Sequence, residues 1–132
     1  PPGVSDTPLP ENARLTGFLP PAEYRALLVT SDCVVVLTRD EGCFLSGAGE
    51  ALSLAKPLVT SDTSSLRRDF GEAAVYVEPE ARSIASGIQS ALERREELVD
   101  NALRLRATRR ESQLETLRDL QEHVRGLQRG GG

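Results

Sequence analysis

Val34-Val35-Val36-Leu37 and Leu58-Val59-Thr60 leave this chain the least choice of fold. Each is a short, unbroken apolar run rich in β-branched residues, the pattern of a strand covered on both faces of a parallel sheet. Two parallel neighbours cannot be joined by a tight turn, so the chain between them must cross over, usually as a helix. The intervening segment has that character: Gly42, Gly47 and Gly49 punctuate a loop, Glu50-Ala51-Leu52 runs into a short helix from Gly47 or Ala48 to Leu54, and Lys56-Pro57 closes it. A strand-helix-strand unit is the expected centre of the fold.

The rest of the chain extends the same alternation. Residues 1–11 read as an irregular lead-in, and Asn12–Leu19, with Leu15, Thr16 and Phe18, reads as a further strand. Proline is tolerated at a helix start, so Pro21–Ser31 reads as a helix with Tyr24, Leu27 and Leu28 inward. Downstream, Ser61-Asp62 is placed to cap a helix from Ser64 to Phe70, Gly71 breaks it, and Ala74–Glu78 forms a strand ended by Pro79. From Ala81 a helical stripe takes over through Ile84, Ile88, Ala91 and Leu92 and continues at Leu98, Ala102 and Leu105. A second stripe, Leu114, Leu117, Leu120, Val124 and Leu127, lies amid alternating Arg and Glu, too short to define a coiled coil. Interleaved charges of this kind mark solvated helix faces rather than a basic patch.

Composition removes several function classes. A net charge of -4 over 132 residues lacks the basic footprint of a nucleic-acid binder. No apolar run is long enough to span a bilayer and no signal peptide is evident, so a cytoplasmic location is expected. Cys33 and Cys43 are expected to be reduced, and His123, alone in a charged helix, has no metal-ligand spacing around it. The chain opens Pro1-Pro2 and contains no Met, which leads us to expect a piece of a longer protein.

The loop between the two apolar runs carries the chemistry. Backbone N–H groups at a helix start are unpaired and sit at the positive end of the helix dipole, which suits a diphosphate. Glycines let such a backbone approach a ligand closely. A carboxylate such as Glu50 can accept two hydrogen bonds from the vicinal hydroxyls of a ribose. Alternatively, Glu50 is a dipole-favoured residue in the first turn of a helix capped by Ser46.

Glu41, Gly42, Phe44, Gly47, Glu50, Lys56 and Pro57, with Gly17-Phe18 upstream and Ser61-Asp62 downstream, resemble the donor-sugar site of the retaining glycosyltransferases with two facing Rossmann-like domains, often called family 4. Glu41 and Glu50 stand one residue further apart than the family's usual acidic pair. The resemblance implies an α/β fold: a partial Rossmann-like, mainly parallel sheet of about four strands with flanking helices and a long C-terminal helical tail. Residues 12–92 would be the nucleotide-sugar-binding domain, 93–129 the C-terminal helices and 130–132 a disordered tail.

In the family the complete sheet has strand order 3-2-1-4-5-6, and ligands bind where that order reverses. By resemblance, Glu50 would hold the ribose, Gly42, Cys43, Phe44, Leu45, Ser46, Gly47, Ala48 and Gly49 the diphosphate, and Glu41 the hydroxyls of the donor sugar. Gly17 would lie near the base, or serve only as a turn glycine. The resemblance implies a hexosyl transfer in polysaccharide biosynthesis, with a nucleotide-sugar as substrate and no metal or cofactor. An acceptor-binding N-terminal domain of the same chain would be the partner, and peripheral contact with the inner face of the membrane would fall to it. Two other readings stay open: a non-catalytic nucleotide-sugar-binding or regulatory domain, and an unrelated α/β scaffold in which Glu50 merely serves its helix.

Overall fold

A computed structural model describes residues 8–43 and 45–131. Three strands, β1 (Val34–Val36), β2 (Leu58–Ser61) and β3 (Ala74–Val77), form one parallel sheet in the order β1-β2-β3. Val34, Val35 and Val36 stand opposite Leu58, Val59 and Thr60, and Leu58 to Ser61 stand opposite Ala74 to Val77. The helices are α1 (Pro21–Thr30), α2 (Ser46–Ser53), α3 (Ser64–Phe70), α4 (Ala81–Glu93) and α5 (Arg95–Gly130). The expected α/β class with a parallel sheet and a long C-terminal helix is thus present.

Two apolar layers sandwich the sheet. On one side Ala48, Ala51 and Leu52 of α2, Leu66 and Phe70 of α3 and Ala102 of α5 pack with Leu58 and Ala74. On the other, Val59 and Val77 meet Ala91 of α4 and Leu98 of α5, with Ile84 and Ile88 alongside. β2 is buried at every residue, as its unbroken apolar run requires. Alanine and glycine at the helix contacts bring these layers close. A Cβ on Gly87 would lie 2.2 Å from Val77 Cγ1, so α4 rests on β3 at a spacing only glycine permits.

Several expectations are corrected. Asn12–Leu19 is irregular backbone, not a fourth strand, and Gly17 within it has φ +61°. A strand needs a neighbour for its N–H and C=O groups, and this segment finds none; Leu15 and Phe18 stay exposed. α1 forms with proline at its start but buries no side chain, so Tyr24 and Leu27 are not inward and only Leu28 is half-buried. The cap of α3 is Thr63, whose hydroxyl accepts from Leu66 N–H at 3.2 Å, while Asp62 pairs with Arg67 instead. The first C-terminal stripe is divided between α4 (Ile84, Ile88, Ala91 and Leu92) and α5 (Leu98, Ala102 and Leu105), the second lies wholly on α5, and Gly130 is the last residue of α5 rather than part of a tail.

α2 ends in a backbone motif that the sequence disguises. Ala55 N–H donates to Leu52 O and Lys56 N–H to Ala51 O, the paired bonds of a Schellman motif, with Ala55 at φ +50° where glycine is usual. A Cβ in that left-handed conformation is strained. Ala55→Gly is therefore expected to raise stability by about 0.5–1 kcal/mol, read as a higher denaturant midpoint at unchanged slope.

β1 is an edge strand, with Val35 39% and Leu37 42% exposed. An apolar open edge is a template for pairing with another chain. Light scattering on the isolated chain is expected to show self-association; a cooperatively folding monomer would mean that this edge is adequately protected.

Candidate functional site

The carboxyl ends of the strands gather the loops in which Glu41, Gly42, Asp62 and Thr63 lie. Thr38 N–H donates to Ser61 Oγ at 2.8 Å, which fastens the chain leaving β1 to the end of β2. The turn at Gly42 (φ +79°) then donates its N–H to Ser65 Oγ at 3.0 Å. Its neighbour Glu41 accepts from Ser64 N–H at 2.7 Å and also from the Ser64 hydroxyl. Glu41 thus serves the first residue of α3 at the positive end of that helix. The two hydrogen bonds from Ser64 hold its carboxyl below the usual carboxylate range, against smaller opposing effects of desolvation and of the Asp62 charge. Such a group favours the folded state above its ordinary pKa and loses that contribution as pH falls through the lowered value.

Residues 46–49 are the opening of α2 rather than loop. Leu45 occupies the N-cap position with no side-chain cap, its carbonyl accepting from Ala48 and Gly49 N–H, so Ser46 is the first helical residue and not the cap. Ala48 is fully buried in the core. A Cβ on Gly47 would sit 3.2 Å from Val36 Cγ2, so this glycine sets the close approach of α2 to β1. Gly49 lies along a groove between α2 and α5 that includes Arg106 and Arg110. Cys43 is half-buried, and Phe44 lies outside the described residues. The chemistry left for an anion is the backbone at Ser46 and Gly47, where N–H groups lack intrahelical acceptors by position.

Glu50 sits in the second turn of α2, beyond the reach of first-turn capping, and no acidic residue occupies the first turn. The capping alternative for Glu50 therefore loses its geometric basis. Its Oε2 is buried and takes no hydrogen bond. A buried carboxylate oxygen without a donor is costly and calls for one. Tyr24, on α1, is its polar neighbour: a hydrogen bond to Glu50, then burial and the Glu50 charge, push the Tyr24 phenol up from its ordinary value.

Sequence reasoning missed Tyr24, which it expected in the core. It also missed the work of Lys56, whose Nζ donates to the carbonyls of Val29 and, at 3.1 Å, Ser31, satisfying the end of α1. Arg95 pairs with Asp32 at 3.2 Å and ties the start of α5 to the turn before β1. None of these partners is near the other in sequence, and no periodicity signals them.

Gly17 is remote from this chemistry in hydrogen bonding, its carbonyl accepting only the neighbouring Thr16 hydroxyl at 3.2 Å among the described residues. Cys33 and Cys43 form no disulfide, and burial, with the Asp32 charge, pushes the Cys33 thiol up, away from reactivity. Among the described residues no group of three or more His, Cys, Asp or Glu gathers to hold a metal ion. No described helix is long and apolar enough to cross a membrane.

The chain matches no protein-family model, no curated protein and no solved structure.

Proposed function

We propose that this domain binds the nucleotide-sugar donor of a retaining glycosyltransferase, as part of a longer cytoplasmic chain whose other domain holds the acceptor. The observation that carries the reading is the buried, donor-less Oε2 of Glu50, one turn beyond the opening of α2. A ribose diol offers two hydroxyl donors at the spacing of a carboxylate, and the N–H groups of Ser46 and Gly47 offer donors to the diphosphate one turn away. In the reaction an acceptor hydroxyl attacks the anomeric carbon from the face that the diphosphate leaves. The bond from that carbon to the diphosphate breaks, the new glycosidic bond forms, and the hydroxyl proton passes to the departing phosphate oxygen. This domain's part is electrostatic: the helix start stabilises the charge that grows on the diphosphate.

One observation favours a second reading, a nucleotide-sugar-binding domain without catalysis. Glu41, which would meet the donor sugar, is engaged by Ser64. To hold sugar hydroxyls it would have to give up that contact.

Hydrogen exchange tests donor binding directly. With UDP, GDP or ADP added, amides 42–52 are expected to slow, because a glycine-rich segment loses freedom when a diphosphate supplies contacts. Equal exchange with and without all three nucleotides would remove the phosphate site.

A further inference from the structure

α5 leaves the body of the fold after Arg109, whose guanidinium donates to Asp69 O and lies 5.3 Å over the Phe70 ring. Every residue of α5 from Arg110 to Gly130 is exposed, over a length of about 30 Å. The projecting part is not polar all round. Leu114, Leu117, Leu120, Val124 and Leu127 follow one face at helical spacing, each between 46% and 66% exposed. That stripe continues the face of α5 that meets α2, because Gln113 borders both the groove between α2 and α5 and the shallow groove around Leu117. In water a helix draws most of its stability from packing such a face, and among the described residues nothing in the chain covers this one.

We propose that this stripe is the contact between two copies of the chain, paired as antiparallel helices over residues 111–130. Charge selects the occupant. Residues 111–122 carry Glu111, Glu115, Asp119 and Glu122 against Arg118 alone, whereas 123–130 carry Arg125 and Arg129 and no acid. An antiparallel second copy lays the acidic half of each helix beside the basic half of the other, and a parallel one sets like against like. Sterics select the same orientation. α2 stands on the stripe's own face of α5 at the level of Arg106 to Gln113. A parallel pair would crowd two such bodies at one end, with helix axes only about 8–10 Å apart, whereas an antiparallel pair sends them to opposite ends. Setting Leu117 against Leu127 of the second copy, and Leu120 against its Val124, satisfies a two-fold axis, each contact occurring twice. The five side chains expose roughly 500 Å² per chain, so pairing removes about 1,000 Å² from water, the lower limit for a specific interface.

Sedimentation equilibrium of the protein reads the balance of monomer and dimer, with circular dichroism on each variant to show an intact fold. The wild type is expected to pair with a dissociation constant on the order of 10 µM. Leu120→Glu puts a charge into the seam twice and is expected to raise that constant at least about 30-fold. Arg125→Glu together with Arg129→Glu makes both halves acidic and is expected to raise it about five- to ten-fold in low salt and much less in high salt. Unchanged association in that double variant overturns the antiparallel arrangement. A wild type that stays monomeric at about 200 µM overturns the pairing itself. So does a dimer that tolerates Leu120→Glu but is dissolved by Val35→Lys, which would place the contact on the β1 edge. A monomer that instead binds phosphatidylglycerol vesicles, and loses them with Leu120→Glu, also overturns it by giving the stripe to a lipid surface.

Discussion

Gly87→Ala is expected to lower stability by about 2 kcal/mol, an effect opposite to that of the same change on an exposed helix. In a solvent-facing helix alanine gains about 1 kcal/mol over glycine. Here the new methyl would lie 2.2 Å from Val77 Cγ1 and 3.3 Å from Val59 Cγ1, both in the second apolar layer. Valine is stiff at χ1 and cannot fold out of the way, so α4 must lift from the sheet. Overpacking of this kind costs about 1–3 kcal/mol and here must first cancel the propensity gain. For a domain of this size the thermal midpoint is expected to fall by about 10 °C. Val77→Ala combined with Gly87→Ala is expected to cost less than the two singly, because the contact is shared. A Gly87→Ala midpoint at or above wild type would show that α4 has room that its backbone geometry denies.

Glu50→Ala is expected to move stability and ligand affinity in opposite directions. In the free domain it removes a carboxylate oxygen that is buried without a donor and puts the best helix former in the middle of α2. Stability is expected to rise by about 1 kcal/mol, part of the gain being offset where Tyr24 loses its acceptor. Binding is expected to suffer, since charge-assisted hydrogen bonds to a diol are worth roughly 1.5–3 kcal/mol each. Nucleoside diphosphate affinity should drop by about ten-fold or more. Thermal unfolding and calorimetric titration on the same two proteins check both signs. Greater stability with unchanged affinity would mark Glu50 as a strained residue without a ligand, and lower stability would mean that the Tyr24 contact outweighs the orphan oxygen.

The acidic residues of the candidate site illustrate why spacing alone cannot assign roles. Glu41 and Glu50 look equivalent in the sequence, an acidic pair around a glycine-rich loop. In three dimensions Glu41 turns to α3 and is satisfied by Ser64, whereas Glu50 keeps one buried oxygen unsatisfied. The difference is one of partners supplied by other elements. Ser64 and Tyr24 are brought to these carboxylates by the crossover after β2 and by the segment before β1.

Local signals were sufficient wherever a segment's structure depends on its own residues and on burial as such. The unbroken runs at Val34–Leu37 and Leu58–Thr60 specify parallel strands, but only β2 is covered at every residue, whereas Val35 in β1 and Leu37 beyond it stay exposed. Pro21 and Gly71 punctuate their helices through fixed φ and permitted positive φ, properties of single residues. Tertiary structure decided everything that needed a partner. Asn12–Leu19 has strand-like residues but no strand beside it, and Leu27 has a helical pattern but no surface to bury it. Ala55 takes a glycine's conformation because two backbone hydrogen bonds at the end of α2 hold it there. The pairing of Glu41 with Ser64 belongs to the same class: hydrogen bonding and close packing are properties of pairs, and a sequence read along one dimension names the members without joining them.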